Sequence, residues 1–409
     1  MSVCDQGALH SIEQAINALK ATLNNQTTTQ TLALSAAHQH VLAHSVYAQV
    51  DVPQWDNSAM DGYALRANDL QQSDNSLPLA GRIAAGDRPE QSLPAGQCIH
   101  ILTGAPVPLG ADTVVAQEDC SISPEQIQFN SCKAGGNIRR RGEEIEQGQL
   151  LLEAGTRLRA QEIGLLASQG FAEVEVYTPL RIGLLSSGNE LCELGQPLKP
   201  GQIYDINSHS LSALLTDLGF TVTHYPKMPD NLQHNIDCLN KASSEQDVLI
   251  SSGGVSVGEE DHLKNAVSAL GQLNLWRVAI QPGKPLAFGC VGETSWIGLP
   301  GNPAAALITA LIIARPALLE AQGLNQSGHH SLHIPALFDW KKARPRQQYL
   351  HAKLVVQDNG QLHAEIHPKQ SSAMLSAASW ADGLVEIKAQ QTVEVGDLVA
   401  FIPYSNLLS

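Results

Sequence analysis

The sequence predicts a multidomain α/β plus β protein whose centre is a doubly wound α/β domain. Three observations carry this prediction. Between residues 180 and 319, apolar strand-like runs alternate with helical periods, the pattern of a parallel sheet covered on both faces. From Val50 to about Gln161, short segments broken by Pro, Gly and Asp show few helical periods and read as a β-rich region. Beyond the polar linker at 322–331, strand signals at 350–356, 362–366, 384–388 and 398–402 read as a small β domain. At 409 residues the chain is too long for one core.

In chain order, residues 11–23 place Ile12, Ala15, Ile16 and Leu19 on one helical face behind Ser11, a favoured N-cap type. His38, His40 and His44 lack nearby acidic ligands, so solvated histidines fit them better than a metal site. The stretch Val52-Pro53-Gln54-Trp55-Asp56-Asn57-Ser58-Ala59-Met60-Asp61-Gly62-Tyr63-Ala64 suits a tight functional loop. It equally suits a capped turn with Asp61-Gly62 as hairpin residues. Ile101-Leu102-Thr103-Gly104-Ala105-Pro106 ends a strand in a turn. Arg139, Arg140 and Arg141 either clamp a phosphate or pair with Glu143 and Glu144. A helix over 161–168 and a strand over 172–177 follow, and Thr178-Pro179 forms a hinge.

Strands over 181–185, 221–225 and 248–252 and helices over 208–219 and 232–242 build the wound sheet, with a further helix from about Glu260. Two strand ends, Ser186-Ser187-Gly188 and Ser251-Ser252-Gly253-Gly254, resemble each other and open on the same rim, where ligands of such folds bind. Glycines allow close backbone approach there, and Ser251, Ser252 and Ser256 offer hydroxyl donors, so the turn can hold an anion. Asp261 beside an anion would repel it unless a divalent cation lies between, which points to phosphate held with magnesium. A Gly-Ser surface turn with a solvated acidic helix start is the alternative. Gln281-Pro282-Gly283-Lys284-Pro285 and Leu299-Pro300-Gly301-Asn302-Pro303 reach the same rim, and the apolar helix over 304–319 is a core helix.

A net charge of −15 argues against general nucleic-acid binding, so an anionic substrate must be captured locally. Seven widely spaced cysteines without a C-x-x-C pair argue against a zinc site or disulfide framework. With no apolar signal core and no membrane-length run, a reducing cytoplasm is the expected setting. Neither G-x-x-x-x-G-K-S/T nor G-x-G-x-x-G occurs.

DNSAMDGYA, TGAPVP, IRRRGEE, SSGGVSVGEED, PGKP and LPGNP occur in this order. On these motifs the sequence resembles the MoeA family, the molybdopterin molybdenumtransferases, which has the C-terminal domain of gephyrin among its relatives. The resemblance implies a small split N-terminal domain (1–50 and 144–179), an inserted β-rich lobe (51–143), a MoaB/Mog-like molybdopterin-binding α/β domain (180–328) and a C-terminal β barrel (329–409). It further implies a homodimer in which Asp61 and Thr103 complete the partner's site. The implied reaction takes adenylylated molybdopterin and molybdate, releases AMP with the help of magnesium, and leaves molybdenum on the dithiolene sulfurs. Molybdopterin adenylyltransferase and later cofactor-maturation proteins would be its partners, with no nucleic acid and no membrane.

Carried over motif by motif, Asp61, Glu190, Asp230 and Asp261 would be catalytic, the last three holding the metal. Substrate contacts would come from Arg140, Thr103, Ser187, Gly188, Ser252, Gly253, Gly254 and Ser256 and from Pro300, Gly301 and Asn302. Lys284, Arg346 and Ser372 are similar to the family's oxyanion pocket. Gln281 stands where a lysine is common, Ala305 where a serine is, and His351 where an arginine often is; these changes predict weak molybdate affinity. Asn189 and Glu144 replace usual aspartates. An adenylyltransferase acting one step earlier, or a scaffold that keeps the fold for partner binding, are the competing functions.

Overall fold

The computed structural model describes residues 9–23, 27–88, 91–253 and 262–408. The first helix, Ile12–Thr22, is fixed at its start by a capping box: Gln14 N–H donates to Ser11 Oγ and Ser11 N–H to Gln14 Oε1. Its buried Ala15 and Leu19 pack with the central α/β core, and Lys20 pairs with Glu320 on that core's longest helix. The next strand, Thr29–Ala33, instead pairs antiparallel with Glu173–Tyr177 around a separate small core containing Leu34, Leu42, Leu158 and Leu166.

The β-rich lobe holds a four-stranded sheet in the order Leu79–Ile83, Cys98–Ile101, Gly62–Leu65, Thr113–Ala116. Gly62 is dictated by backbone approach, since a Cβ there would overlap the Val115 carbonyl. Chain entry and exit are clamped together. Asp51 accepts from Arg141, Asp56 accepts from Arg140, and Val52 bridges Ile145.

In the α/β domain the strands are β1 (Arg181–Ser186), β2 (Thr221–His224), β3 (Val248–Ser252), β4 (Gly271–Arg277), β5 (Pro285–Val291) and β6 (Thr294–Leu299). Their spatial order is β2-β1-β3-β6-β5-β4. The first four run parallel, whereas β5 and β4 form an antiparallel edge. This edge differs from the wholly parallel sheet the sequence predicts. The connections on either side of β5 are too short to carry the crossover helix that a parallel neighbour needs. Alternation along the strands sorts the core into two layers. Ile182, Leu184, Ile250 and Ile297 face the Ile206–Asp217 and Pro303–Ala321 helices, while Leu185, Leu249 and Trp296 face Leu232–Glu245 and His262–Leu270. Pro303–Ala321 is long and apolar enough to cross a membrane, yet 89% of its most apolar stretch is buried, as in a core helix.

The last domain runs Leu332–Pro335, Leu398–Pro403, Gly383–Ile387, Gln347–Val356 and Leu362–Ile366 side by side. Leu337 N–H donates to Ala364 O, and Ala336 bridges Ala364, so the two ends of this path meet. At its other flank Ile280–Gln281 of the α/β domain pairs parallel with Gln347–Gln348. That shared register presses the C-terminal domain against the rim of the wound sheet.

Candidate active site

Three strand ends converge on the carboxyl rim of the sheet: Ser187-Gly188 after β1, Ser252-Gly253 where β3 ends, and Pro300-Gly301-Asn302 after β6. Gly253, at φ 86°, donates its N–H to Leu299 O at 3.3 Å. A Cβ on Gly253 would stand 3.3 Å from Ser187 O, and one on Gly301 3.5 Å from Gly253 Cα. The loops therefore touch backbone to backbone, and glycine permits it. Asn207, in the first turn of the helix capped by Asp205, ties two of them: its Nδ2 donates to Ser252 Oγ at 2.6 Å and to Gly301 O at 2.7 Å.

Lys284 reaches this rim because β5 runs antiparallel to β6, which puts the start of β5 beside the end of β6. Gly283, at φ 93°, turns the chain, and Val278 N–H donates to Lys284 O at 2.8 Å. The facing wall belongs to the C-terminal domain. Ser372 O accepts from Ala305 N–H at 3.2 Å, and Asn302 Nδ2 donates to Ser372 Oγ at 3.3 Å. Gln370 Nε2 donates to His351 O at 2.9 Å and fixes the loop.

Between the two walls lies a cleft of about 760 Å³. It brings together Ser187, Glu190, Gly253, Lys284, Pro300, Gly301, Asn302, Arg346 and Ser372 as the sequence predicts, with Gly188 and Ser252 in the same loops. The Glu190 carboxylate folds back over Gly188, where a Cβ would collide with it. Asp230 is exposed on the adjoining loop, joined to the rim by the bridge between Met228 and Ser187. Asp261, Gly254 and Ser256 lie outside the described residues. No group of three or more His, Cys, Asp or Glu side chains forms a metal centre among the described residues.

Other residues stand elsewhere. Asp61 and Thr103 sit on the β-rich lobe, where Thr103 N–H and Oγ1–H both donate to Asp61 Oδ1 at 2.7 Å. Those bonds hold the Asp61 carboxyl below the usual range. Arg140 does not line the cleft: its guanidinium pairs with Asp56 at 2.5 Å, and its own N–H donates to Glu143. Arg140 and Arg141 thus brace the lobe junction through Asp56 and Asp51, which is neither of the two alternatives the sequence left open, a phosphate clamp or side-chain pairing with Glu143 and Glu144. Sequence reading missed Asn207, Trp340, Arg344 and Gln348; only the pairing of Ile280–Gln281 with Gln347–Gln348 brings the last three to the cleft.

Models of known families match along nearly the whole chain. The MoeA N-terminal region (domain I and II) matches residues 10–170, a probable molybdopterin binding domain 183–320, and the MoeA C-terminal region (domain IV) 333–404. A molybdopterin molybdenumtransferase of Haemophilus influenzae is 37% identical over 404 residues, covering 97% of this chain and 99% of that protein. The chain belongs to the MoeA family. Another relative of this family, the molybdopterin molybdenumtransferase of a Nostoc species, is 38% identical over 74% of this chain and 71% of its own length. The solved molybdopterin biosynthesis MoeA protein of Pyrococcus horikoshii superposes with a TM-score of 0.77 at 27% identity, covering 97% of this chain and 99% of that one.

Proposed function

We propose that this MoeA-family chain is a molybdopterin molybdenumtransferase that takes adenylylated molybdopterin and molybdate, releases AMP, and leaves molybdenum on the dithiolene sulfurs. The observation that carries the reading is the single cleft in which a glycine-lined, hydroxyl-bearing rim faces Lys284 and the C-terminal domain. Backbone approach at Gly253 and Gly301 suits phosphate oxygens, and the cationic wall suits an oxyanion. The domain division at 1–50 with 144–179, 51–143, 180–328 and 329–409 is part of this proposal.

Magnesium fits the donor set. Glu190 and Asp230 are hard oxygen donors on adjoining loops, and neither carboxylate has a hydrogen bond or ion pair among the described residues. With Asp261 they would hold the ion, which when bound supplies neutralisation of the pyrophosphate charge. Asp61 and Thr103 do not line the cleft of their own chain, which supports their completing the cleft of a second copy in a homodimer. AMP release from adenylylated molybdopterin with molybdate and magnesium tests the function; purified protein that releases none would end it.

Asn207→Ala removes both ties between the rim loops. It is expected to raise the KM for adenylylated molybdopterin about tenfold, the scale of one or two lost hydrogen bonds. Steady-state kinetics with varied pterin at saturating molybdate would read this.

A further inference from the structure

Arg346 and Arg344 both line the cleft, yet they differ in what they are free to do. Arg346 is a strut: its guanidinium donates to Ile280 O at 3.1 Å and to Gln281 Oε1 at 3.5 Å, across the junction of the two domains. The Arg344 guanidinium has no hydrogen bond or ion pair among the described residues, and its Nε–H is shielded from water without a partner. Other orphaned polar groups line the same cleft, His351 Nε2 among them. Trp340 Nε1–H is buried and unpaired, and Gln348, 0% exposed, has neither amide atom satisfied.

Backbone pairing explains why these side chains share one corner. Trp340 bridges Val393, Gln390 N–H donates to Arg344 O at 2.7 Å, and Gln348 pairs with Ile387. The 387–393 turn therefore gathers all three. Indole and guanidinium groups donate only, and a buried donor left unpaired costs about 1–3 kcal/mol. Glu190 is the only acid lining the cleft among the described residues. The corner thus suits a ligand rich in acceptors and negative charge.

We infer that Arg344, flanked by Trp340 and Gln348, is the second cationic anchor of the bound tetrahedral oxyanion, which lies between Lys284 of the sheet rim and Arg344 of the C-terminal domain. The identification of that oxyanion as molybdate rests on the transferase reading. Two positive partners hold a dianion more tightly than one, and a chain of net charge −15 must supply them locally. Lys284 likewise has no ion pair among the described residues.

Equilibrium dialysis of molybdate against the full-length protein tests this, with AMP release followed in parallel. Arg344→Ala is expected to weaken molybdate binding about tenfold or more, Arg344→Lys to restore part of it, and Trp340→Phe to weaken it a few-fold. Affinity for adenylylated molybdopterin and the melting midpoint should stay at wild-type values in all three. Native molybdate affinity in Arg344→Ala, with loss in Lys284→Ala, would overturn the inference while leaving the transferase reading intact. Arg344-dependent oxyanion binding by a protein that releases no AMP would support this anchor and end the transferase reading.

Discussion

Glu190→Gln is expected to lower AMP release roughly 10²–10³-fold, the scale of losing one preorganised charged group at a reacting centre. The folded state should barely notice, because Glu190 is exposed and its carboxylate has no partner among the described residues. Its position over Gly188, at φ 139°, places the charge against the strand end that would cradle phosphate. Asp230→Asn should act in the same direction, and Asp261→Ala should fold normally yet lose turnover. Single-turnover AMP release with a magnesium titration separates the cases. A raised magnesium requirement in each variant supports a shared cation, whereas unchanged AMP release in Glu190→Gln and Asp261→Ala would remove the metal argument.

The parts of this site that were legible in the sequence are those set by neighbouring residues. Ser187-Gly188 and Ser252-Gly253 end apolar runs, so their place on one rim follows from the wound sheet alone. Ser11 announces a helix that begins at the next residue, whereas the helix expected from Ser208 begins at Ile206 behind the Asp205 cap. Long-range pairing was not legible. Asp56 lies 84 residues from Arg140, and nothing local distinguishes it from Glu143 as a partner. Arg344 and Arg346 look alike in the sequence as two arginines around Pro345; only the register of Gln347 against Ile280 makes one a strut and leaves the other free. The antiparallel edge was hidden for a similar reason, since an apolar run such as Pro285–Val291 does not reveal its direction.

Acidification from pH 6.5 toward pH 4 is expected to destabilise the protein through His351, and His351→Gln to flatten that part of the profile. His351 is 2% exposed, with Nδ1 2.9 Å from Tyr404 Oη and Nε2 unpartnered. Burial first, and the charge of His367 second, push its pKa down from 6.5 to about 4. Below pH 6.5 the unfolded chain takes up a proton that the folded protein refuses, so stability falls until the folded pKa is reached. The gap corresponds to on the order of 3 kcal/mol. Burial also pushes the Tyr404 phenol up, which keeps it a neutral donor. If its hydroxyl donates to Nδ1, only Nε2–H is left unpaired; the opposite tautomer strands both the phenol proton and Nε2. Thermal melts at pH 7, 6, 5 and 4.5 would read the effect. His329 is lowered too, so a residual slope should persist in His351→Gln. Parallel curves for wild type and His351→Gln would sink the assignment. The same neutrality bears on the cleft, because an imidazole uncharged at pH 7 adds no positive charge to the wall it lines. With Gln281 uncharged and Arg346 spent on the domain junction, the proposed oxyanion site is left with Lys284 and Arg344 as its cationic donors.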